Sequence, residues 1–145
     1  MDRLSGAWLS NGDLLLCGGL NVMRYNTEMN NQYLLFQEGS SQWNKIGKMK
    51  KPRCDHSSVF MDGSLYTCGG CTFPGNTTSH HEAFSLVVGS NINEYFVGVK
   101  KKKEMPLALR NHSATKIGQH KMLICGGLDK HVIKTFLKHQ KSTKF

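Results

Sequence analysis

Short, continuous apolar runs recur along the chain, and each ends in the same Cys-Gly-Gly triplet. The runs occupy residues Leu14–Gly19, Leu65–Gly70 and Met122–Gly127. Successive triplets are 51 and 57 residues apart. Self-similarity at a period of about fifty residues indicates a repeat architecture, in which each copy is one supersecondary unit. Because such repeats usually present loops to a partner, the repeat favours a partner-binding face over a catalytic centre.

Each apolar run is predicted to be the second strand of a β-hairpin. The preceding segments Ser57–Phe60 and Ser113–Ile117 mix polar and apolar residues. Between the two strands lie Asn11-Gly12, Asp62-Gly63 and, as a weaker signal, Gly118-Gln119. Asn-Gly and Asp-Gly accept the positive φ that a tight hairpin turn requires. A short, continuously apolar second strand is expected to be buried on both faces.

Two more strands are predicted after each of the first two diglycines. Gln32–Phe36 and Ala83–Val88 are the third strands. The fourth strands lie near Trp43 and at Tyr95–Val99. Four strands in each repeat are typical of a propeller blade.

An arginine stands upstream of every triplet, and two copies add a His-Ser pair. Arg53 and Arg110 lie 15 residues before the cysteine of their triplet, and Arg3 lies 14 residues before its own. His56 and His112 follow the second and third arginines, each succeeded by serine.

This combination resembles the kelch repeat, whose motif joins an arginine and a His-Ser opening to a hairpin, a diglycine, a spaced aromatic residue and a Trp. The resemblance implies an all-β fold, a kelch-type β-propeller segment of two full four-stranded blades plus a partial third. The predicted boundaries are residues 3–52 for repeat one, 53–109 for repeat two and 110–136 for a partial repeat three, with residues 137–145 as a disordered basic tail.

Three repeats are fewer than the four to eight blades that usually close a propeller. The chain is therefore expected to be a fragment of a longer protein, a truncated product, or a protomer that completes a ring by self-association. No hydrophobic stretch reaches membrane length and the N-terminus lacks the apolar core of a signal peptide, so a soluble, cytoplasmic protein is expected.

The charge is strongly basic, with 19 Lys and Arg against 10 Asp and Glu and a formal net charge of +9. Lysines crowd the two predicted connections between blades. Such runs are often no more than a solvated surface. The alternative is recognition of an acidic peptide or protein. The resemblance implies that such a ligand would bind the propeller face that carries the connections between blades, in contact with the arginines that open each blade. The resulting candidate partner-binding residues are Arg53, Arg110, Arg3, Lys100, Lys101, Lys102, Lys103, Lys48, Lys50 and Lys51.

The cysteines of the three triplets are predicted to be small core residues, because free Cys is among the most buried residue types. A zinc site could use Cys68, Cys71 and either His80 or His81. The histidines lack the spacing of a strong zinc motif, so no metal and no cofactor are predicted.

No enzyme is predicted. Asp55, His56 and Ser57 are neighbours on one strand and point to alternating faces, which excludes a catalytic triad. The predicted function is a protein–protein interaction module, and the resemblance to kelch proteins implies a role in a ubiquitin-ligase substrate receptor or an actin-associated scaffold. The alternatives are an electrostatic nucleic-acid binder that uses the Lys clusters, for which no recognised motif is present, and a truncated kelch product without a specific partner.

Overall fold

Strands make up all the regular structure described in the computed structural model. The structure describes residues 1–23, 26–72, 76–77, 81–87, 96–129 and 141–144. The strands are β1 (Ser5–Trp8), β2 (Leu14–Cys17), β3 (Leu20–Val22), β4 (Thr27–Met29), β5 (Gln32–Phe36), β6 (Trp43–Lys48), β7 (Ser57–Met61), β8 (Ser64–Cys68), β9 (Cys71–Thr72), β10 (Asn76–Thr77), β11 (His81–Val87), β12 (Phe96–Lys101), β13 (Leu109–Gly118), β14 (Lys121–Asp129) and β15 (Lys141–Lys144). Among these residues, no helix reaches the length and hydropathy of a membrane crossing.

Three antiparallel sheets follow one another along the chain. Blade 1 has the order β1-β2-β5-β6, blade 2 the order β7-β8-β11-β12, and blade 3 the order β13-β14-β15. Two-stranded ribbons, β3-β4 and β9-β10, extend the loops that follow the first two diglycines. The all-β architecture of two four-stranded blades and a partial third is confirmed.

The predicted hairpin turn of blade 2 shows the local chemistry that sets this fold. Asp62 and Gly63 have φ values of 51° and 66°. Both central residues of a type I′ turn need positive φ, and Asp-Gly supplies them at low cost. The turn fixes the register in which Ser57 pairs with Cys68 and Phe60 pairs with Leu65.

Neighbouring blades pack face to face. Strands β1, β7 and β13 lie side by side at the inner edge of the blades. Leu15, Leu35 and Tyr33 of blade 1 share a solvent-free cluster with Leu65 of blade 2. Burying one such leucine stabilises the fold by roughly 1.5–3 kcal/mol.

Blades 2 and 3 repeat this arrangement. Tyr66 and Cys68 of blade 2 cluster with Met122 of blade 3. Because Leu65 of blade 2 and Met122 of blade 3 occupy the same place in their hairpins, each blade uses one face for the preceding blade and the other face for the following one.

The two outermost faces of the described blades lack this cover. On blade 1, Trp8, Leu14, Phe36 and Trp43 pair in one row across all four strands. Trp8 is 67% exposed and Trp43 is 45% exposed. On blade 3, Cys125 is exposed. The prediction that the second strand of every hairpin is buried on both faces is therefore wrong for β14 and for the half-buried outer face of β2, because no described sheet covers either outer face.

The C-terminal residues differ from the expectation of a disordered tail. Lys141–Lys144 form β15, which pairs with β14 from Lys121 to Ile124. The physical reason is the free edge of β14, whose backbone groups can accept a further strand. In blade 3, β15 takes the third position, which β5 and β11 hold in the other two blades.

Candidate partner-binding face

The diglycines and the connections between blades lie at one end of the sheets. This is the end at which β2, β8 and β14 finish. We call it the loop face, and among the described residues it comprises 1–4, 18–23, 26–31, 49–56, 69–72, 102–112 and 126–129. The hairpin turns around residues 11–12, 62–63 and 118–120 lie at the opposite end. Antiparallel pairing alone therefore places every inter-blade connection on the same side of the molecule.

A chain of backbone hydrogen bonds crosses the loop face from blade to blade. The amide of Asp55 donates to the carbonyl of Arg3 at 3.3 Å, and the amide of Asn111 donates to the carbonyl of Asp55 at 2.9 Å. All three residues have positive φ, at 54°, 56° and 54°. Asp and Asn tolerate this left-handed conformation better than Arg does. The shared geometry makes Arg3, Asp55 and Asn111 the equivalent positions of the three blades.

This equivalence differs from the one that counting along the sequence predicts. The amide of Gly19 donates to the carbonyl of Arg53 at 2.8 Å, and the amide of Gly70 donates to that of Leu109 at 2.8 Å. Arg53 therefore corresponds to Leu109, and Arg110 to Cys54. The count fails because the third hairpin is one residue longer, with a register shift between residues 116 and 118.

Comparison with known proteins agrees with this geometry. The family model described as the Kelch motif matches residues 52–90. Residues 52–90 are a kelch repeat. The match contains β7 and β8, together with the connection that crosses from blade 1. Kelch motifs generally mediate protein–protein binding, so the match suggests a protein-interaction module.

A solved structure supports the fold over nearly the whole chain. The structure titled "Structure of YjhT" superposes with a TM-score of 0.63 at 16% sequence identity. The match covers 89% of this chain and 35% of that chain, so this chain spans about a third of its length. At this identity the likeness shows the fold, which is a partial kelch-type propeller. No curated protein is significantly similar in sequence.

Arg53, the arginine of the kelch repeat, lies inside the protein. Its side chain is 2% exposed, and its Nη1 donates to the carbonyl of Gly69 at 2.9 Å. The guanidinium therefore ties the inter-blade connection to the diglycine of blade 2. The expectation that Arg53 contacts a partner is at odds with this burial, because a partner on the surface does not reach the guanidinium.

The other two arginines are more accessible. The side chain of Arg3 is 55% exposed, and its Nη1 lies 3.5 Å from Oδ2 of Asp55. Arg110 is half-buried and pairs with Leu128 between β13 and β14. The three arginines thus occupy three different structural positions, of which only that of Arg3 belongs to the inter-blade hydrogen-bond chain.

The predicted lysines lie at the loop-face ends of the outer strands and in the connections that follow them. Lys48 ends β6, and Lys50 and Lys51 follow it, all three exposed. Lys103 is exposed, whereas Lys102 is half-buried with its Nζ 5.7 Å from the centre of the Tyr66 ring. Lys100 and Lys101 are the last residues of β12, and the structure describes their backbone alone.

The histidines of the repeat are interior residues. The ring of His56 lies 3.3 Å from Sγ of Cys17 in blade 1. Burial, followed by the charge of Arg53, lowers the pKa of His56 to about 3. Burial also lowers the pKa of His112. Both side chains are therefore neutral at physiological pH and serve as packing between blades.

The cysteines separate into three environments. Cys68 lies between blades 2 and 3, with its Sγ 3.6 Å from Sδ of Met122. Cys125 is exposed, which contradicts its predicted place in the core. Burial raises the pKa of Cys68 to about 12.

Cys71 faces Cys54, with the two Sγ atoms 3.4 Å apart. The zinc site considered from the sequence needs Cys68 and Cys71 to bind one ion together. The structure does not support it, because the two cysteines belong to different clusters. Of the two histidines considered for this zinc site, His80 lies outside the described residues, and His81 is described only by its backbone in β11.

Sequence reasoning missed the Cys54–Cys71 pair, although the hairpin register contains it. Ser57 pairs with Cys68 across β7 and β8. Cys54 stands three residues before Ser57, and Cys71 three residues after Cys68. Extending the antiparallel ladder through the diglycine would have placed the two cysteines opposite each other.

Proposed function

We propose that this chain is a kelch-type interaction module that binds an acidic segment of a partner protein on its loop face. The observation that carries the proposal is the gathering of exposed cations at that one end of successive blades. Arg3, Lys50, Lys51 and Lys103 all lie there. A ligand carrying several carboxylates would meet the positive field of these side chains as it approached.

The basic residues have different roles in this proposal. Arg3 is suited to direct contact, because its guanidinium is exposed and its backbone is held by Asp55. A guanidinium can hold a carboxylate through two parallel hydrogen bonds. Lys50, Lys51 and Lys103 are suited to steering, since exposed lysines contribute more to the association rate than to the affinity. Arg53 is left out of the proposed surface because it is buried.

The finer roles are proposals at the same site. A substrate receptor of a ubiquitin ligase and an actin-associated scaffold would both present the loop face to a protein ligand. They differ in the partner, since the first takes a degradable substrate and the second takes actin or an actin-binding protein. Identification of the captured protein by mass spectrometry distinguishes them.

The first prediction tests the charge of the loop face. Lys50→Ser/Lys51→Ser removes two exposed charges from it, whereas Lys116→Ser/Lys121→Ser removes two exposed charges near the turn at the opposite end. Binding to a panel of acidic peptides is measured by stopped-flow at several salt concentrations. The loop-face variant is expected to associate several-fold more slowly, with a weaker salt dependence, because steering scales with the local field.

The control variant carries the same net charge and is expected to behave as the parent. Equal slowing in both variants would show that only net charge matters, and no binding by the parent would remove the acidic ligand from the proposal. Adding Arg3→Ala is expected to raise the dissociation rate, since it removes a direct contact.

We also propose that the isolated chain self-associates through its uncovered blade faces. Leu14 in blade 1 occupies the hairpin place of Leu65 and Met122, which both pack against a preceding blade. Cys125 occupies the place of Cys17 and Cys68, which both pack against a following blade. The two uncovered faces therefore have the character of the two sides of an ordinary inter-blade interface, and a second copy can supply the missing side.

A further inference from the structure

Cys54 and Cys71 stand directly opposite each other at the entrance to blade 2. The amide of Cys54 donates to the carbonyl of Cys71 at 3.1 Å, and the amide of Cys71 donates to the carbonyl of Cys54 at 2.9 Å. A pair that exchanges both hydrogen bonds has Cα atoms about 5.5 Å apart. That separation falls at the commonest value for disulfides, and the Sγ atoms are 3.4 Å apart.

The surroundings of the pair are closed and mostly apolar. Both cysteines are buried, and Leu20 and Met29 from the loop of blade 1 pack over them. The polar neighbour is Asp55, whose Oδ2 lies 3.5 Å from Sγ of Cys71. Burial, the hydrogen bond to Cys71 and the nearby carboxylate raise the pKa of Cys54 to about 12. Cys54 is therefore a thiol at neutral pH, and its exchange with other thiols is expected to be slow.

A metal ion is the competing occupant of this cluster. Cys54, Asp55 and Cys71 bring three potential ligand atoms within 4.8 Å of one another. A structural zinc site takes four ligands, and among the described residues no other Cys, His or carboxylate joins the group. The guanidinium of Arg3 already lies 3.5 Å from Oδ2 of Asp55 and competes with a cation for that oxygen. A disulfide needs neither a fourth ligand nor the carboxylate.

We propose that Cys54 and Cys71 are a site of covalent modification, at which a small-molecule disulfide such as oxidised glutathione converts the two thiols into an intramolecular disulfide. This inference is independent of what the loop face binds. In the first step one Sγ, as its thiolate, attacks oxidised glutathione, whose S–S bond breaks and releases one reduced glutathione. In the second step the other Sγ attacks the protein sulfur of the mixed disulfide and releases the second glutathione. The protein loses two electrons and two protons. Oxidised glutathione takes them up and becomes two molecules of reduced glutathione.

The disulfide would fix the beginning of β7 to β9. The closed loop contains the whole β7–β8 hairpin, and Asp55 of the inter-blade hydrogen-bond chain lies next to Cys54. Because the backbone is already in register, little strain is expected. Closing a loop of about this length increases the folding equilibrium constant by roughly 100-fold in the chain-entropy account.

The test uses the full chain, reduced and then equilibrated with mixtures of reduced and oxidised glutathione. A low concentration of urea allows the buried pair to open. Free thiols are alkylated, and digested peptides are mapped by mass spectrometry. The expected product links Cys54 to Cys71, and the melting temperature is expected to rise by about 10 °C.

The other cysteines provide internal controls. Cys125 is exposed and lies opposite Ser113, so it is expected to form only a mixed disulfide with glutathione. Cys17 and Cys68 are expected to stay as thiols. Cys71→Ser is expected to remove both the linked peptide and the rise in melting temperature.

Two outcomes would overturn the proposal. One is recovery of Cys54 and Cys71 as thiols at a large excess of oxidised glutathione. The other is protein that carries stoichiometric zinc and resists oxidation until the metal is chelated. Both are read from the parent protein, so the test stands even if Cys71→Ser fails to fold.

Discussion

At the scale of single residues, position in the hydrogen-bond network decides what each repeated side chain does. Arg3 and Arg53 are both arginines upstream of a diglycine, yet one is exposed and the other holds a carbonyl in the interior. His56 and His112 are buried between blades, and Arg53 lies close enough to His56 to contribute to its lowered pKa. The spacing of residue types reveals the repeat, whereas the function of each residue depends on which strand pair it joins.

The buried histidines predict a loss of stability in mild acid. The pKa of His56 falls from an ordinary value of 6.5 to about 3 on folding, chiefly through burial and then through Arg53 and His112. Between these two pH values the unfolded chain binds a proton that the folded chain does not. The free energy of unfolding is therefore expected to be full above pH 6.5 and to fall below it, by up to about 1.4 kcal/mol per pH unit for each such histidine.

Urea denaturation between pH 7.5 and 4.5 measures this effect. His56→Gln is expected to flatten the pH dependence, and His112→Gln to do so as well, because burial lowers the pKa of both side chains. A free energy of unfolding that stays constant from pH 7 to 5 would contradict the burial of neutral histidines.

At the scale of elements, the diglycines let one blade approach the next. Gly69 and Gly126 are the first glycines of two successive diglycines and have φ values of 61° and 71°. A Cβ on Gly69 would lie 2.7 Å from Cε1 of His112 and 2.9 Å from Cε of Met105. At Gly126 a Cβ would meet nothing within 4 Å. The positive φ is common to both repeats, whereas the close contact at Gly69 arises from the interface with the next blade.

This pair of positions separates backbone strain from steric overlap. Both Gly69→Ala and Gly126→Ala are expected to lose about 1–2 kcal/mol of unfolding free energy because of the left-handed backbone. Gly69→Ala is expected to lose a further 1–3 kcal/mol, roughly, because it overpacks the interface. Urea titrations of both variants provide the comparison. Equal losses would show that the blades can move apart without cost at this point.

The same elements show how far the sequence could predict the structure. The strand Gln32–Phe36 and the turn at Asp62-Gly63 were predictable, because apolar runs and turn residues act locally. The equivalence of Arg53 with Leu109 was not, since one extra residue in a distant turn shifts the count. The position of the predicted lysines in the connections between blades was predictable, because it follows from the strand assignment. The burial of Arg53 was not, because it depends on contacts between blades.

At the scale of the whole molecule, the uncovered faces predict an assembly of two copies or more. The parent chain is expected to elute from gel filtration with a mass by light scattering of at least twice 16.3 kDa. Leu14→Asp places a charge in the apolar row of blade 1 and is expected to shift the protein towards the monomer, because an unpaired charge is costly to bury. Leu107→Asp, at an exposed position in the connection before blade 3, is the control and is expected to leave the mass unchanged.

A parent protein that is monomeric and unfolds cooperatively would contradict this assembly. A Leu14→Asp variant that keeps the mass of the parent would instead place the contact on another surface. Closed head-to-tail association of two such copies would give about six blades, within the range that propellers use.

The longer turn of the third hairpin offers a way to handle the protein without touching its candidate binding surface. Residues 118–120 lie at the end opposite the loop face. Between the register shift and the loop face, Lys116 to Leu109 of β13 keep one register with β14. Lengthening a surface loop costs little, since closure entropy grows only slowly with length. A short affinity tag inserted after Gln119 would disturb the exposed contact between His120 and Asp62. It would attach the molecule to a sensor chip in a single orientation, with its arginine- and lysine-bearing end free in solution.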